Sequence, residues 1–196
     1  MIWLKLDVPF ASFRPYRSRD FQESFSIPPP STVYGSLLSY LGITRDQKAK
    51  YRGSKLILAV ESLPLRSVFL RKMRRGDGLM NHHDRNCRPE YQEVLVELVI
   101  YVGIKGELAV AFKEGFANPQ NIKRFGGWAL GESSNLINSV NLIDGPPAEA
   151  LYLCADKRGF HQLTTWVDHV GNNSVYQRFD IRKHDANDLD SLWVEI

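Results

Sequence analysis

The 196-residue sequence is 43 % hydrophobic and 24 % charged, an ordinary balance for a chain that buries a real core. No apolar run reaches the roughly 18 to 20 residues of a membrane-spanning helix, and the start, Met1 to Asp7, has neither the charged head nor the apolar body of a signal peptide, so a cytoplasmic protein without a membrane partner is expected. The net charge of +3 hides an asymmetry: residues 1–91 hold 16 Lys and Arg against 8 Asp and Glu, residues 92–196 hold 9 against 14, and a basic half of this kind points to a polyanion.

Residues Ile2 to Val8 alternate apolar and polar and predict a first strand that Pro9 ends. A basic, aromatic loop follows, with Phe13, Arg14, Tyr16, Arg17, Arg19 and Phe21, and leads into Ile27 and three prolines. The prolines form a stiff extended lead. A helix starts behind them, with Ser31 or Thr32 as its cap and Val33, Leu37, Leu38 and Leu41 as its apolar stripe; Gly42 ends it. A short apolar run from Ser54 to Ser62 predicts a buried strand, and Gln92 to Val102 a long one with Val94, Val96, Leu98, Ile100 and Val102 on one face. Between them lies the most basic stretch, Arg66 to Tyr91, with Arg66, Arg71, Lys72, Arg74, Arg75, Arg85 and Arg88 beside His82 and His83. Gly76 and Gly78 at its middle predict a long projecting hairpin or loop.

Asn118 to Phe125 is expected to form a short helix, and Gly126 to Ser134 a glycine-rich turn before an apolar segment, Leu136 to Ile143. Asp144-Gly145-Pro146-Pro147 breaks the chain, and short strands are expected near Ala150–Cys154, Phe160–Val167, Ser174–Ile181 and Ser191–Ile196. The order strand, helix, strand, basic insertion, strand, short helix, strand fits an α+β, ferredoxin-like βαββαβ unit, the fold of RNA-recognition domains, over residues 1–143, with the hairpin inserted at about 66–91 and a C-terminal β extension over 144–196 packed on the same domain. Cys87 and Cys154 stand far apart with no CxxC or Cys/His spacing, so no disulfide framework, metal site or cofactor is indicated.

The segment Ile27 to Gly42 is the most specific in the chain. A helix start with free N–H groups binds phosphate, and the hydroxyls of Ser31 and Thr32, with Tyr34 and the bare Gly35 behind them, would let a nucleic-acid backbone approach. A capped core helix accounts for the leucines equally well. The nucleotide-binding pattern GxxxxGK[ST] is absent.

With its flanking loop and strand, this segment resembles the N-terminal signature of the CRISPR-associated handle-binding family of the RAMP superfamily, an arginine-bearing aromatic loop leading to a PPPST run and a Tyr-Gly helix. Arg85-Asn86-Cys87-Arg88-Pro89-Glu90-Tyr91-Gln92-Glu93-Val94-Leu95 is similar to the NRRPxYQELL block of its DevS-like, myxobacterial branch, and Gly127 to Ile137 to the superfamily's LGxSE turn. Cys87 stands where that branch usually has an arginine, and the turn reads Gly-Glu-Ser-Ser, shifted from the usual order.

The resemblance implies a non-catalytic subunit of a type I CRISPR effector complex, Cascade, that grips the 5′ handle of the guide RNA (crRNA) and caps the backbone filament. Arg14, Arg17 and Arg19 would meet phosphates, and Tyr16 or Phe21 would stack on a base. Ser31, Thr32, Tyr34 and Gly35 would form the helix-start site, and Arg71, Lys72, Arg74, Arg75, His82, His83, Arg85 and Arg88 the basic hairpin. The implied partners are crRNA, the backbone RAMP subunit, the large Cascade subunit, target DNA within the complex, and downstream a nuclease-helicase or transposition proteins.

Two alternatives stay open. A metal-independent endoribonuclease that processes precursor crRNA would need paired acid and base groups; Tyr40, Lys72, His82 and His83 are the candidates, while His161, His169 and His184 show no triad or ligand spacing. An unrelated RRM-like module would need an RNP-type aromatic run, which is absent.

Overall fold

The structure, a computed structural model, describes residues 1–15, 21–74, 87–168, 173–185 and 188–196, with backbone alone for 72–74 and 87–89. The chain runs through β1 (Ile2–Ala11), β2 (Phe21–Gln22), α1 (Pro30–Tyr40), β3 (Lys55–Val60), β4 (Leu65–Arg74), β5 (Cys87–Lys105), α2 (Glu107–Ala117), β6 (Ser139–Ile143), β7 (Leu151–Ala155), β8 (His161–Trp166), β9 (Val175–Lys183) and β10 (Val194–Glu195). All ten strands join one sheet in the order β6-β1-β5-β3-β7-β9-β8, with β10 on β3 and with β2 and β4 on β5. The result is a sheet-rich α+β fold.

The core lies between the sheet and the two helices. Leu4, Leu6 and Val8 of β1 and Leu98, Ile100, Val102 and Ile104 of β5 face Val33, Leu37 and Leu38 of α1 and Leu108 and Phe112 of α2. A second, smaller cluster on the opposite face joins Trp3, Ile57, Ala59, Tyr101 and Tyr152. Gly103 lies there because Trp3 lies across it: a Cβ would stand 2.9 Å from the indole.

Four expectations need correction. β1 runs through Pro9 to Ala11; the β1–β5 register pairs Val8 with Leu98 and Phe10 with Val96, passing over Pro9, so the missing N–H interrupts no bond there. Opposite it, Glu97 has φ 58, and this left-handed residue breaks the alternation of β5: Leu95, not Val94 or Val96, shares the core with Leu98. The second helix is α2, Glu107–Ala117, ahead of the expected position, and Asn118–Phe125 contains only a 3₁₀ turn, Pro119–Asn121. Neither Ser31 nor Thr32 caps α1; Pro29 takes that place with no side-chain cap bond, and Pro30 opens the helix.

The hairpin is present as β4 and the first half of β5, paired from Leu65↔Val96 to Arg74↔Cys87. Residues 75–86, with Arg75, His82, His83 and Arg85, lie outside the described residues, as do Tyr16, Arg17, Arg19 and His169. Beyond residue 143 the sheet continues without a break, because β7 pairs with Ala59 and Val60 of β3 and β10 with Lys55 and Leu56. Among the described residues no helix is long and apolar enough to cross a membrane, and no group of three or more His, Cys, Asp or Glu converges as a metal site.

Candidate nucleic-acid interface

One open groove gathers the sequence blocks that stand far apart in the chain. Its floor is the outward face of α1, with Ser31, Thr32, Gly35 and Ser39, and its walls are Gln162, Thr164 and Trp166 of β8, the loop through Lys123 and Arg124, the glycine-rich turn with Glu132, and Arg14. Gly35 has open space where a side chain would stand, so the bare backbone of the helix is open to the groove. The helix is held here by its buried leucines below and by the prolines in front. At its end Gly42, with φ 72, turns the chain; Gly42 and Ile43 donate to the carbonyls of Ser39 and Leu38, the two bonds of a Schellman stop.

The helix start offers less to an anion than its sequence promises. Pro30 has no N–H, the Thr32 N–H turns onto the Pro29 carbonyl at 2.9 Å, and that of Val33 reaches the same carbonyl at 3.2 Å. The Ser31 hydroxyl lies 2.7 Å from that of Thr164 and ties α1 to β8. Tyr34 is buried: its hydroxyl donates to the Lys48 carbonyl and its ring meets Trp166 at 6.1 Å, so it packs α1 against β8 and shows the groove little of its surface. Burial pushes its phenol above the ordinary value.

The glycine-rich turn is pinned on both sides. Trp128 is buried on α1 and donates its indole N–H to the Ser36 carbonyl at 2.9 Å; the Ser36 hydroxyl in turn donates to the Ala129 carbonyl. Gly131, at φ 86, passes 3.1 Å from Ser12 O by the position its Cβ would take. This places Glu132 against the loop after β1. Its carboxylate takes an ion pair from Arg14 Nε at 2.7 Å and another from Arg71 Nη1 at 2.9 Å, while Gln92 donates to it at 3.3 Å. Arg14 also donates to Gln22 Oε1 at 3.0 Å, beside β2. Arg14 and Arg71, both expected at the RNA, are therefore brought to one point from the first loop and from the hairpin. Glu132 was missed; its signal was an acidic side chain next to Gly131 in the glycine-rich turn.

Phe21, half exposed, sits in β2 opposite Tyr91, itself more than half exposed. Lys72, Arg74 and Arg88 lie in the β4–β5 ladder, where Lys72 opposes Pro89 and Arg74 opposes Cys87. At the hairpin base, Arg66 pairs with Glu93 at 2.8 Å and donates to Ser26, which joins the hairpin to the chain ahead of α1.

The opposite wall carries cations that sequence reasoning did not single out. Lys48 donates to the Val167 carbonyl and lies 4.7 Å from the Trp166 ring centre, and the Arg52 guanidinium lies 4.9 Å from the same ring. Burial pushes the Lys48 ammonium below its ordinary range, against a smaller upward pull from Asp168. Tyr40, a candidate acid or base, packs between Phe112 at 4.8 Å and Trp128 at 4.6 Å, and its phenol is raised by burial. A raised phenol inside an aromatic cluster is a poor proton donor to a ribose leaving group.

The architecture is shared with solved chains of CRISPR proteins. A chain of a CRISPR RNA-guided surveillance complex superposes with a TM-score of 0.69 over 95 % of this chain and 91 % of its own, at 15 % identity. A Cas protein crystal structure gives 0.61 over 95 % of both chains at 16 %, and a chain of the type III-B Cmr-beta complex bound to cognate target RNA and AMPPnP gives 0.50 over 93 % and 84 % at 11 %. At these identities the likeness is one of fold, and it defines the class: a sheet-rich protein built like the subunits of CRISPR assemblies. No family model matches the sequence. The CRISPR-associated protein Cas5 of Myxococcus xanthus (strain DK1622), however, is 34 % identical over 187 residues, which cover 89 % of this chain and 86 % of the relative. The chain belongs to the CRISPR-associated Cas5 family.

Proposed function

We propose that this chain is the non-catalytic subunit of a type I CRISPR effector complex that binds the 5′ handle of crRNA. The observation that carries the reading is the groove: the first loop at Arg14, the helix behind the prolines and the glycine-rich turn, separate in sequence by more than a hundred residues, line one trough of hydroxyls, bare backbone and cations. Backbone-hugging recognition of single-stranded RNA needs such a surface, with phosphate contacts for position and exposed rings for bases. The finer fold reading belongs with it: β1, α1, β3, β5, α2 and β6, in the spatial order β6-β1-β5-β3, support a ferredoxin-like core with the β4–β5 hairpin as its insertion. The backbone RAMP subunit, the large subunit and target DNA are the partners this role requires.

The test compares two RNAs on the full chain, alone and with the backbone subunit: guide RNA with the repeat-derived handle, and the same RNA without it. Handle RNA binds more tightly, and its affinity falls steeply with salt as counterions are released. Equal affinity at physiological salt refutes the handle reading. A full repeat RNA incubated with the chain yields no specific product; a defined cut with a 2′,3′-cyclic phosphate end, lost on His82→Ala or His83→Ala, would instead make the chain a nuclease.

A further inference from the structure

The 123–127 loop lines the groove, and its side chains play no part in the contacts assigned above. Phe125 at its crest is fully exposed. An apolar ring wholly in water gains nothing for the fold, and fraying does not account for it, because the loop is clamped at both ends. On one side the Lys123 carbonyl lies so close over Gly42 that a Cβ there would stand 2.3 Å from it. On the other, a Cβ at Gly127 would stand 2.8 Å from Leu136 Cδ2, and Trp128 is buried on α1. The loop is thus packed on both sides of the ring. The residue before it is Arg124, whose Nε and Nη2 are cut off from water with no hydrogen-bond partner, and among the described residues no carboxylate pairs with its guanidinium. Lys123, next to it, is exposed.

A lone ring between two cations and two glycines, facing hydroxyls and helix backbone across the trough, lacks the apolar surroundings a protein hot spot needs. It has what an unpaired nucleotide needs: a π face for the base and positive charge for the phosphate. We propose that Phe125 is a stacking platform for one unpaired base of the RNA that lies along α1, with the exposed Lys123 holding the adjacent phosphate. The inference rests on the handle-binding reading and adds a subsite to it.

The test uses the full chain and the handle RNA. Because Phe125 touches nothing in the core, Phe125→Ala, Phe125→Leu and Phe125→Trp should melt like the parent. Alanine and leucine should each weaken handle RNA by roughly tenfold, since an aliphatic side chain does not stack, while tryptophan keeps affinity and its fluorescence is quenched on RNA addition. Replacing the handle nucleotides one at a time by abasic residues should reveal one position whose loss hurts the parent but not Phe125→Ala. If the parent does not prefer handle RNA, the functional reading fails and this inference with it. If the parent prefers handle RNA but all three variants match it and the introduced indole is not quenched, the stacking site alone is refuted. Unchanged RNA affinity with lost assembly onto the backbone subunit refutes it equally, by making Phe125 a protein contact.

Discussion

At the mouth of the groove the Glu132 carboxylate holds Arg14 at 2.7 Å and Arg71 at 2.9 Å, and it is much less exposed than either arginine, with 16 % of its side-chain surface open against 40 % and 37 %. Its neutralisation therefore has two consequences of opposite sign. Glu132→Gln should lower stability by about 1–2 kcal/mol, because charge-assisted hydrogen bonds are replaced by weaker neutral ones. The same change removes a negative charge that competes with phosphate, so affinity for RNA in general should rise while preference for the handle falls, as the two arginines lose their fixed direction. Urea unfolding and filter binding with both RNAs check this; unchanged RNA affinity would make the Arg–Glu–Arg cluster purely structural. His161, on β8, is the second residue with a measurable signature. Burial pushes its imidazole below the ordinary 6.5, helped by Arg66 and opposed by Asp180. The folded state thus favours the neutral ring, while the unfolded chain takes up the proton near 6.5. Its stabilising contribution is complete above that value and is lost as pH falls through it towards the lowered folded pKa. Between about pH 7.5 and 5.5 the parent should lose more stability than His161→Gln, and parallel pH curves for the two would contradict the burial argument.

The end of α1 offers a comparison between two glycines. Gly42 and Gly53 both lie at positive φ, 72 and 88, but only at Gly42 would a Cβ meet backbone, at 2.3 Å from Lys123 O; Gly53 faces open space. Gly53→Ala should cost about 1–2 kcal/mol, the left-handed penalty alone. Gly42→Ala should cost more, because the 123–127 loop must lift off the helix and carry Phe125 with it, and equal melting temperatures for the two variants would argue against the clamp. The same elements show what a sequence yields. β1, α1, β3, the hairpin and the late strands were legible because each has its own period or punctuation: alternation in Ile2–Val8, a leucine stripe ended by Gly42, glycines at the middle of the basic run. α2 was missed although Leu108, Phe112 and Phe116 fall at helical spacing, because the apolar alternation of β5 runs to Ile104 with only Gly106 to end it. The face of β5 was misread at Val94 and Val96 because nothing in the residue type Glu announces a left-handed turn at position 97. Of the groove, Arg14, Arg71 and the helix face were legible as residue types; the Glu132 that joins them, and Lys48 and Arg124 across from them, come together only through tertiary packing over distances in sequence that local pattern does not span.

At the scale of the molecule, residues 144–196 complete the core that residues 1–143 begin. β7 and β10 cover the edge of β3 that β5 leaves free, and β8 comes over α1 to meet Ser31 and Tyr34. Leu153, Leu163, Phe179, Val194 and Ile196 belong to the same apolar cluster as Leu37 and Leu98. Each such side chain, fully buried, contributes about 1.5–3 kcal/mol, so the five amount to roughly 10 kcal/mol, while a domain's whole net stability is about 5–15 kcal/mol. A chain cut after residue 143 therefore has no margin to fold: it would expose the β3 edge, the β8 side of α1 and one wall of the groove together. The expected outcome is a fragment without a cooperative thermal transition, and a full chain in which tyrosine and tryptophan signals from both parts, Tyr101 and Trp166 among them, are lost at one temperature. A fragment 1–143 that melts cooperatively near the parent temperature would show the reverse, that residues 144–196 are an appendage, and the groove wall at Thr164 and Trp166 would then be a late addition to an interface complete without it.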